Sequence, residues 1–138
     1  MAYRVSKVDY CYVTVPSRAG QGAKILKEIR DAGINLIAFS GFPVKGGKAQ
    51  IDLVSDRVSA IRKVADRNGW KLSGTKKAFL VQGTDEVGAV QKIVSRLARE
   101  GINITAVDAV AAGKKRYGMV LWVKPKDYRR AAMALNAS

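Results

Sequence analysis

The sequence predicts an α+β fold made of two βαββαβ modules, each with an antiparallel sheet and both helices on one face. Three observations predict it. Gly33-Ile34-Asn35-Leu36 recurs as Gly101-Ile102-Asn103-Ile104, an offset of 68 residues in a chain of 138. The offset holds without a gap from Gly20 to Ala38 and from Gly88 to Ala106, where 7 of 19 positions are identical. Strand-like and helix-like hydrophobic periods then follow one another in the same order in both halves. A period this long fits two copies of one small domain rather than a many-repeat solenoid. The modules expected are residues 1–70 and 71–138. Units of about 60–70 residues are marginal alone, burying only about 60% of their unfolded surface, so the copies are expected to pack together and to dimerise.

In the first copy, residues 8–15 read as a strand with Cys11, Val13 and Val15 on one face and Tyr10, Tyr12 and Thr14 on the other. Residues 16–22 form a loop in which Ser17 is a candidate helix cap. Residues 23–32 carry Ile25, Leu26 and Ile29 on one helical stripe, and Gly33 is a natural stop. Residues 36–42 and 49–54 are strands joined by a turn over 44–48, whose Gly46-Gly47 suits a tight hairpin. Ser55 or Asp56 is expected to cap a helix that runs to about Asn68, with a short fourth strand at 70–73. The second copy repeats the order: a strand at 77–82, a loop at 83–87, a helix at 88–100, strands at 103–110 and 118–123, and a last helix from about Lys126. This is the ferredoxin-like plan. The second copy ends in its helix without a fourth strand. Residues 3–6 align with 71–74 at the same offset, so the N-terminal segment (residues 1–6) is expected either to fill that vacant edge or to pair beside residues 8–15.

Composition narrows the function. There is one cysteine, which leaves no intrachain disulfide or thiolate metal cluster, and no histidine, which removes Ser-His and Cys-His pairs and the commonest metal ligand. Cys11, mid-strand among apolar residues, reads as an inert core thiol. The carboxylates Asp9, Asp52 and Asp108 do not repeat between copies, and no nucleotide-binding loop is present. No enzyme, metal or cofactor is therefore expected. No apolar run approaches the roughly 20 residues of a membrane span, and Met1-Ala2-Tyr3-Arg4 leads into no signal-peptide core, so a cytoplasmic setting is expected. The net charge of +14, shared by both halves, suits anionic partners or a basic solvated surface.

What repeats with chemical potential is a loop before a helix and an Asn after it. Helix N-termini offer free N–H groups and a positive dipole end that suit a carboxylate. The side chains of Asn35 and Asn103 each offer a donor and an acceptor, fitting a zwitterion. The alternative is that Gly-x-Asn is turn chemistry and that Gly20 and Gly88 only let helix pack on strand.

A strand, a loop ending in Gly, a helix and then Gly-Ile-Asn-hydrophobic resembles the ACT domain. The second copy is similar throughout, from Gly83-Thr84-Asp85-Glu86-Val87-Gly88 to Gly101-Ile102-Asn103-Ile104. The first departs, with Pro16-Ser17-Arg18-Ala19-Gly20 lacking the acidic residue before the Gly. The resemblance spans nearly the whole chain and implies two ACT-type modules, a regulatory small-molecule sensor for an amino acid bound between modules, and action on a metabolic enzyme in trans. It places ligand contacts at Ser17, Arg18, Ala19 and Gly20, at Asp85, Glu86, Val87 and Gly88, and at Asn35 and Asn103.

In this plan a module's loop and its own Asn lie at opposite ends of the sheet. Antiparallel contact between the second strands of two modules would set each Asn beside the other module's loop, pairing Asn103 with 17–20 and Asn35 with 85–88. Residues 73–75 reach only about 10 Å, whereas such edge-to-edge pairing needs about 29 Å. Strand exchange or a homodimer is therefore expected, and the homodimer is favoured. The competing reading is a basic nucleic-acid (RNA) binding protein, supported by the charge and by Tyr10 and Tyr12 as a stacking face. Against it, their equivalents in the second copy are Ala78 and Leu80.

Overall fold

The computed structural model describes residues 3–138. Met1 and Ala2, where the first module and the N-terminal edge segment are expected to begin, lie outside the described residues. The elements run β1 (Tyr3–Pro16), α1 (Gln21–Asp31), β2 (Ala38–Val44), β3 (Lys48–Val54), α2 (Val58–Asn68), β4 (Lys76–Thr84), α3 (Ala89–Arg99), β5 (Ile104–Gly113), β6 (Arg116–Val123), a 3₁₀ turn at Pro125–Asp127 and α4 (Tyr128–Ala134). Contacts divide the chain into two compact units. One is Asp9–Lys76, and the other joins residues up to Val8 with Lys77–Ser138. The first boundary falls inside β1, so the N-terminal segment and the first strand are one continuous strand rather than neighbours.

In the unit of residues 9–76, β3 lies between β1 and β2, all antiparallel, with Tyr10 opposite Val54 and Ala38 opposite Val54. The expected fourth strand is reduced to a single bridge from Leu72 to Val13. It is fixed there because Ser73 N–H donates to the Tyr12 carbonyl at 2.9 Å and Tyr12 N–H donates to Ser73 Oγ at 2.8 Å. Arg62 from α2 donates to the Ser73 carbonyl and to Thr75 Oγ1, which holds the segment that follows. The core is one sheet face against two helices. Cys11, Val13, Ile51 and Leu53 pack with Ile25 and Ile29 of α1 and with Ile61 and Val64 of α2. The alternation along the strands and the helical stripe therefore converge on one apolar layer.

In the other unit, β6 lies between β4 and β5, with Phe79 opposite Leu121 and Asp108 opposite Val120. β1 neighbours β4 on its other side. Val5 joins Phe79, Val81, Ile93, Leu97, Leu121 and Leu135 in the core, so residues 3–8 occupy the fourth-strand place of this unit. Ser138 ties down the same segment: its N–H donates to the Val5 carbonyl at 3.1 Å, and its backbone oxygen accepts from Lys7 N–H at 2.9 Å. No described helix is long and apolar enough to cross a membrane.

Two capping expectations are corrected. The N-cap of α1 is Gly20 rather than Ser17, and no side chain bonds to the helix start. Ser17 N–H instead donates to Gly47 O in the hairpin turn, and the loop enters the helix through the left-handed Gly20 (φ 90°). At α2 the N-cap is Arg57 without a side-chain cap. Ser55 still serves the turn, its Oγ accepting from Arg57 N–H and donating to the Asn35 carbonyl.

Candidate ligand site

The two pre-helix loops are built alike. Ser17 N–H donates to Gly47 O and Asp85 N–H donates to Lys115 O, both at 2.9 Å, so each loop is clamped to its own unit's hairpin at positions 68 residues apart. Each then enters its helix through a glycine with positive φ, Gly20 at 90° and Gly88 at 81°. A Cβ at either position would meet nothing within 4 Å. These glycines are therefore required by backbone conformation, not by helix packing. Neither α1 nor α3 has a side-chain N-cap bond. The N–H groups of the first helical turn beyond Gln21 and Ala89 remain open to solvent or to an anion. Ser17, Arg18, Ala19 and Gly20, and Asp85, Glu86, Val87 and Gly88, are all exposed. Glu86 is held at 3.3 Å by Lys92 one turn into α3, and Val87 stands fully in solvent at the loop tip.

The repeated Gly-Ile-Asn separates into a structural part and an open part. Gly33 N–H donates to Arg30 O and Ile34 N–H to Ile29 O; in the second copy Gly101 N–H donates to Ala98 O and Ile102 N–H to Leu97 O. These paired bonds, with Gly33 and Gly101 left-handed at 72° and 70°, are Schellman helix ends, and the buried Ile34 and Ile102 supply the hydrophobic contact that accompanies them. Gly and Ile are thus explained by helix termination. The asparagines are not: Asn35 and Asn103 are exposed, and among the described residues their side-chain amides make no hydrogen bond.

Within a unit, loop and Asn stand apart, separated by a helix of 11 residues that spans about 16 Å. The structure therefore brings Ser17, Arg18, Ala19 and Gly20 together, and likewise Asp85, Glu86, Val87 and Gly88, but not Asn35 with the former set or Asn103 with the latter. Asn35 instead lines a shallow concavity with Leu26, Lys27, Arg30 and Leu36. Those neighbours escaped the sequence reading. The available signal was Lys27 and Arg30 on the helix flank just before the motif. Both cations hold Asp31 at 2.9 Å, and these bonds keep the Asp31 carboxyl below the usual carboxylate range.

The remaining polar groups carry no evident chemistry. Cys11 is fully buried and burial pushes its thiol up to about 11, far from a reactive thiolate. Tyr10 is only 8% exposed, and burial first, then the Asp52 charge, pushes its hydroxyl up to about 12. It is thus no open stacking surface for a base. Asp52, 5% exposed, accepts a 2.9 Å bond from Gln50 Nε2, and burial raises its carboxyl above the ordinary range. Among the described residues no group of three or more potential ligands is placed to hold a metal ion.

No protein-family model matches the chain, and no curated protein matches it. Solved structures do. Protein BT0572 from Bacteroides thetaiotaomicron superposes with a TM-score of 0.77 at 18% identity, over 97% of this chain and 88% of that one. The ligand-free regulatory subunit of aspartate kinase from Thermus thermophilus gives 0.68 at 13% identity, over 99% and 95%. The corresponding subunit from Thermus flavus gives 0.62 at 16% identity, over 99% and 95%. At these identities the likeness lies in the arrangement of strands and helices: the chain has an α+β fold with antiparallel sheets and two ferredoxin-like modules, the arrangement seen in those aspartate kinase regulatory subunits.

Proposed function

We propose that this protein is a non-catalytic regulatory sensor that binds an amino acid between ACT-like modules and acts on a partner enzyme in trans. The observation that carries the reading is the pair of exposed asparagine amides that have no partner among the described residues once helix termination has accounted for Gly-Ile. The uncapped helix starts add donors for a carboxylate. The structural likeness to subunits named as regulatory supports the same role. Because loop and Asn of one module stand about 16 Å apart, a complete site draws its Asn from another module, and we assign that module to a second chain. The outermost strands support the homodimer. β5 runs ten residues without a proline or an internal basic residue and exposes Val107 and Val110, and β2 exposes Phe39 and Phe42. Such edges offer unpaired backbone groups to a partner strand.

Thermal shift against a panel of amino acids tests the reading. One or a few should raise the melting temperature. Asn35→Ala and Asn103→Ala should each reduce that rise while leaving the unliganded melt unchanged. No response to any amino acid, or an undiminished response in both variants, contradicts it. The burial of Tyr10 removes one of the two tyrosines on which the nucleic-acid reading rests, while Tyr12 stays half-buried.

A further inference from the structure

A second concavity, apart from both loops and both asparagines, lies within the unit of residues 3–8 and 77–138. Its volume is ≈ 460 Å³, and its polar lining comes from Lys7, Lys77, Arg129 and Asn136. The sequence places these groups together. Lys7 follows the core residue Val5 by two positions on β1, and Lys77 precedes the core residue Phe79 by two on β4, so both lysines share the core side of the sheet at its margin. α4 and the two residues after it turn Ala131, Ala132 and Leu135 into the core and leave Arg129, Met133 and Asn136 exposed beside those lysines. One wall is fixed: the Tyr128 ring stacks on Phe79 with centroids 4.4 Å apart, and its hydroxyl donates to the Ala78 carbonyl at 2.9 Å.

Charge decides what such a concavity takes. No carboxylate side chain lines it. The side chains of Lys7 and Arg129 enter no ion pair among the described residues, whereas the adjacent Arg130 is engaged by Asp127 and by the Glu100 carbonyl. Cations converging on one hollow repel one another, and a bound anion relieves that repulsion. The guanidinium of Arg129 presents a planar fork suited to two oxygens, and Lys7 a mobile point charge.

We propose that this concavity binds a compact, multiply charged small anion, a phosphate ester or a polycarboxylate. Lys7 and Arg129 are its counter-charges, and Asn136 is a neutral donor. The site is separate from the amino-acid site and does not depend on it. The test is amide NMR titration of the full chain with sodium pyrophosphate, inorganic phosphate and citrate, at constant ionic strength held with sodium chloride. Saturable shifts centred on residues 7 and 129–136 are expected from at least one of these. Preference for pyrophosphate identifies a phosphate site and preference for citrate a carboxylate site. The double variant Lys7→Gln, Arg129→Gln should weaken that binding at least tenfold, with an unchanged melt and an unchanged response at the loops. Shifts that stay linear in concentration, equal binding by the double variant, or a response confined to an RNA oligonucleotide would overturn the proposal.

Discussion

Asp52 shows most clearly what a single side chain contributes. It is a carboxylate buried on β3 that accepts a hydrogen bond from Gln50, and burial holds its pKa above the unfolded value. A raised folded pKa means that the folded chain holds the proton more tightly than the unfolded chain. The resulting stability is fully present below the unfolded pKa and is lost as pH rises through the folded one. Asp52→Asn keeps an acceptor for Gln50 and removes the buried charge. It should raise the melting temperature at pH 7 and give little gain below pH 4, as thermal melts across that range will show. A gain that persists unchanged at acid pH contradicts this account. Asp52 was visible in the sequence only as a non-repeating carboxylate, because its burial depends on neighbouring strands that no local pattern encodes. Asn35 and Asn103 present the opposite case. Their repetition was legible, but the division of Gly-Ile-Asn into a helix stop and an unpartnered amide required the backbone bonds.

Among the elements, the two hairpins diverge at equivalent positions. The first turns through Gly46 and Gly47, with φ of 84° and 68°; the second through Lys114 and Lys115, at 53° and 57°. Left-handed backbone costs a residue with a Cβ about 1–2 kcal/mol, and glycine gives back part of that through its freer unfolded chain. Lys114→Gly and Lys115→Gly should therefore each stabilise the protein, by on the order of 0.5 kcal/mol in denaturant melts. Destabilisation by both would show that the lysine side chains make compensating contacts. The element order was largely legible because strand alternation, helical stripes and terminal glycines agree in both copies. Strand ends and caps were less so. Ser17 has the chemistry of a cap, yet Gly20 takes the position because the loop's attachment to Gly47 O sets its path. The fourth strand of the first copy shrinks to the Leu72 bridge, where backbone and side-chain bonds of Ser73 to Tyr12 and the Arg62 side chain hold the segment.

At the scale of the whole molecule, β1 is the element both units need. Residues 3–8 supply Val5 to one core while Cys11 and Val13 enter the other. The duplication made the missing fourth strand countable from sequence, but it left open which edge the N-terminal residues would take, since the same segment could pair on either side. Deleting residues 1–6 removes Val5, both a core side chain and one of the two backbone partners of Ser138. Burial of one aliphatic side chain alone contributes roughly 1.5–3 kcal/mol, so the truncated chain should melt well below the full one, with amide protection lost first in β4 and α4. A truncated chain that melts like the full one contradicts that role. The +14 charge is a property of the whole chain, and Lys7, Lys77 and Arg129 are three of its 25 basic residues that share one hollow. The central claim, amino-acid sensing through the repeated loops and asparagines, is tested most directly by titrating the isotope-labelled full chain with each of the twenty amino acids. Saturable amide shifts are expected from one or a few, centred on residues 17–20 and 85–88 and on the side-chain amides of Asn35 and Asn103. Saturable binding that leaves both loops and both asparagines unmoved, or no binding at all, would contradict it.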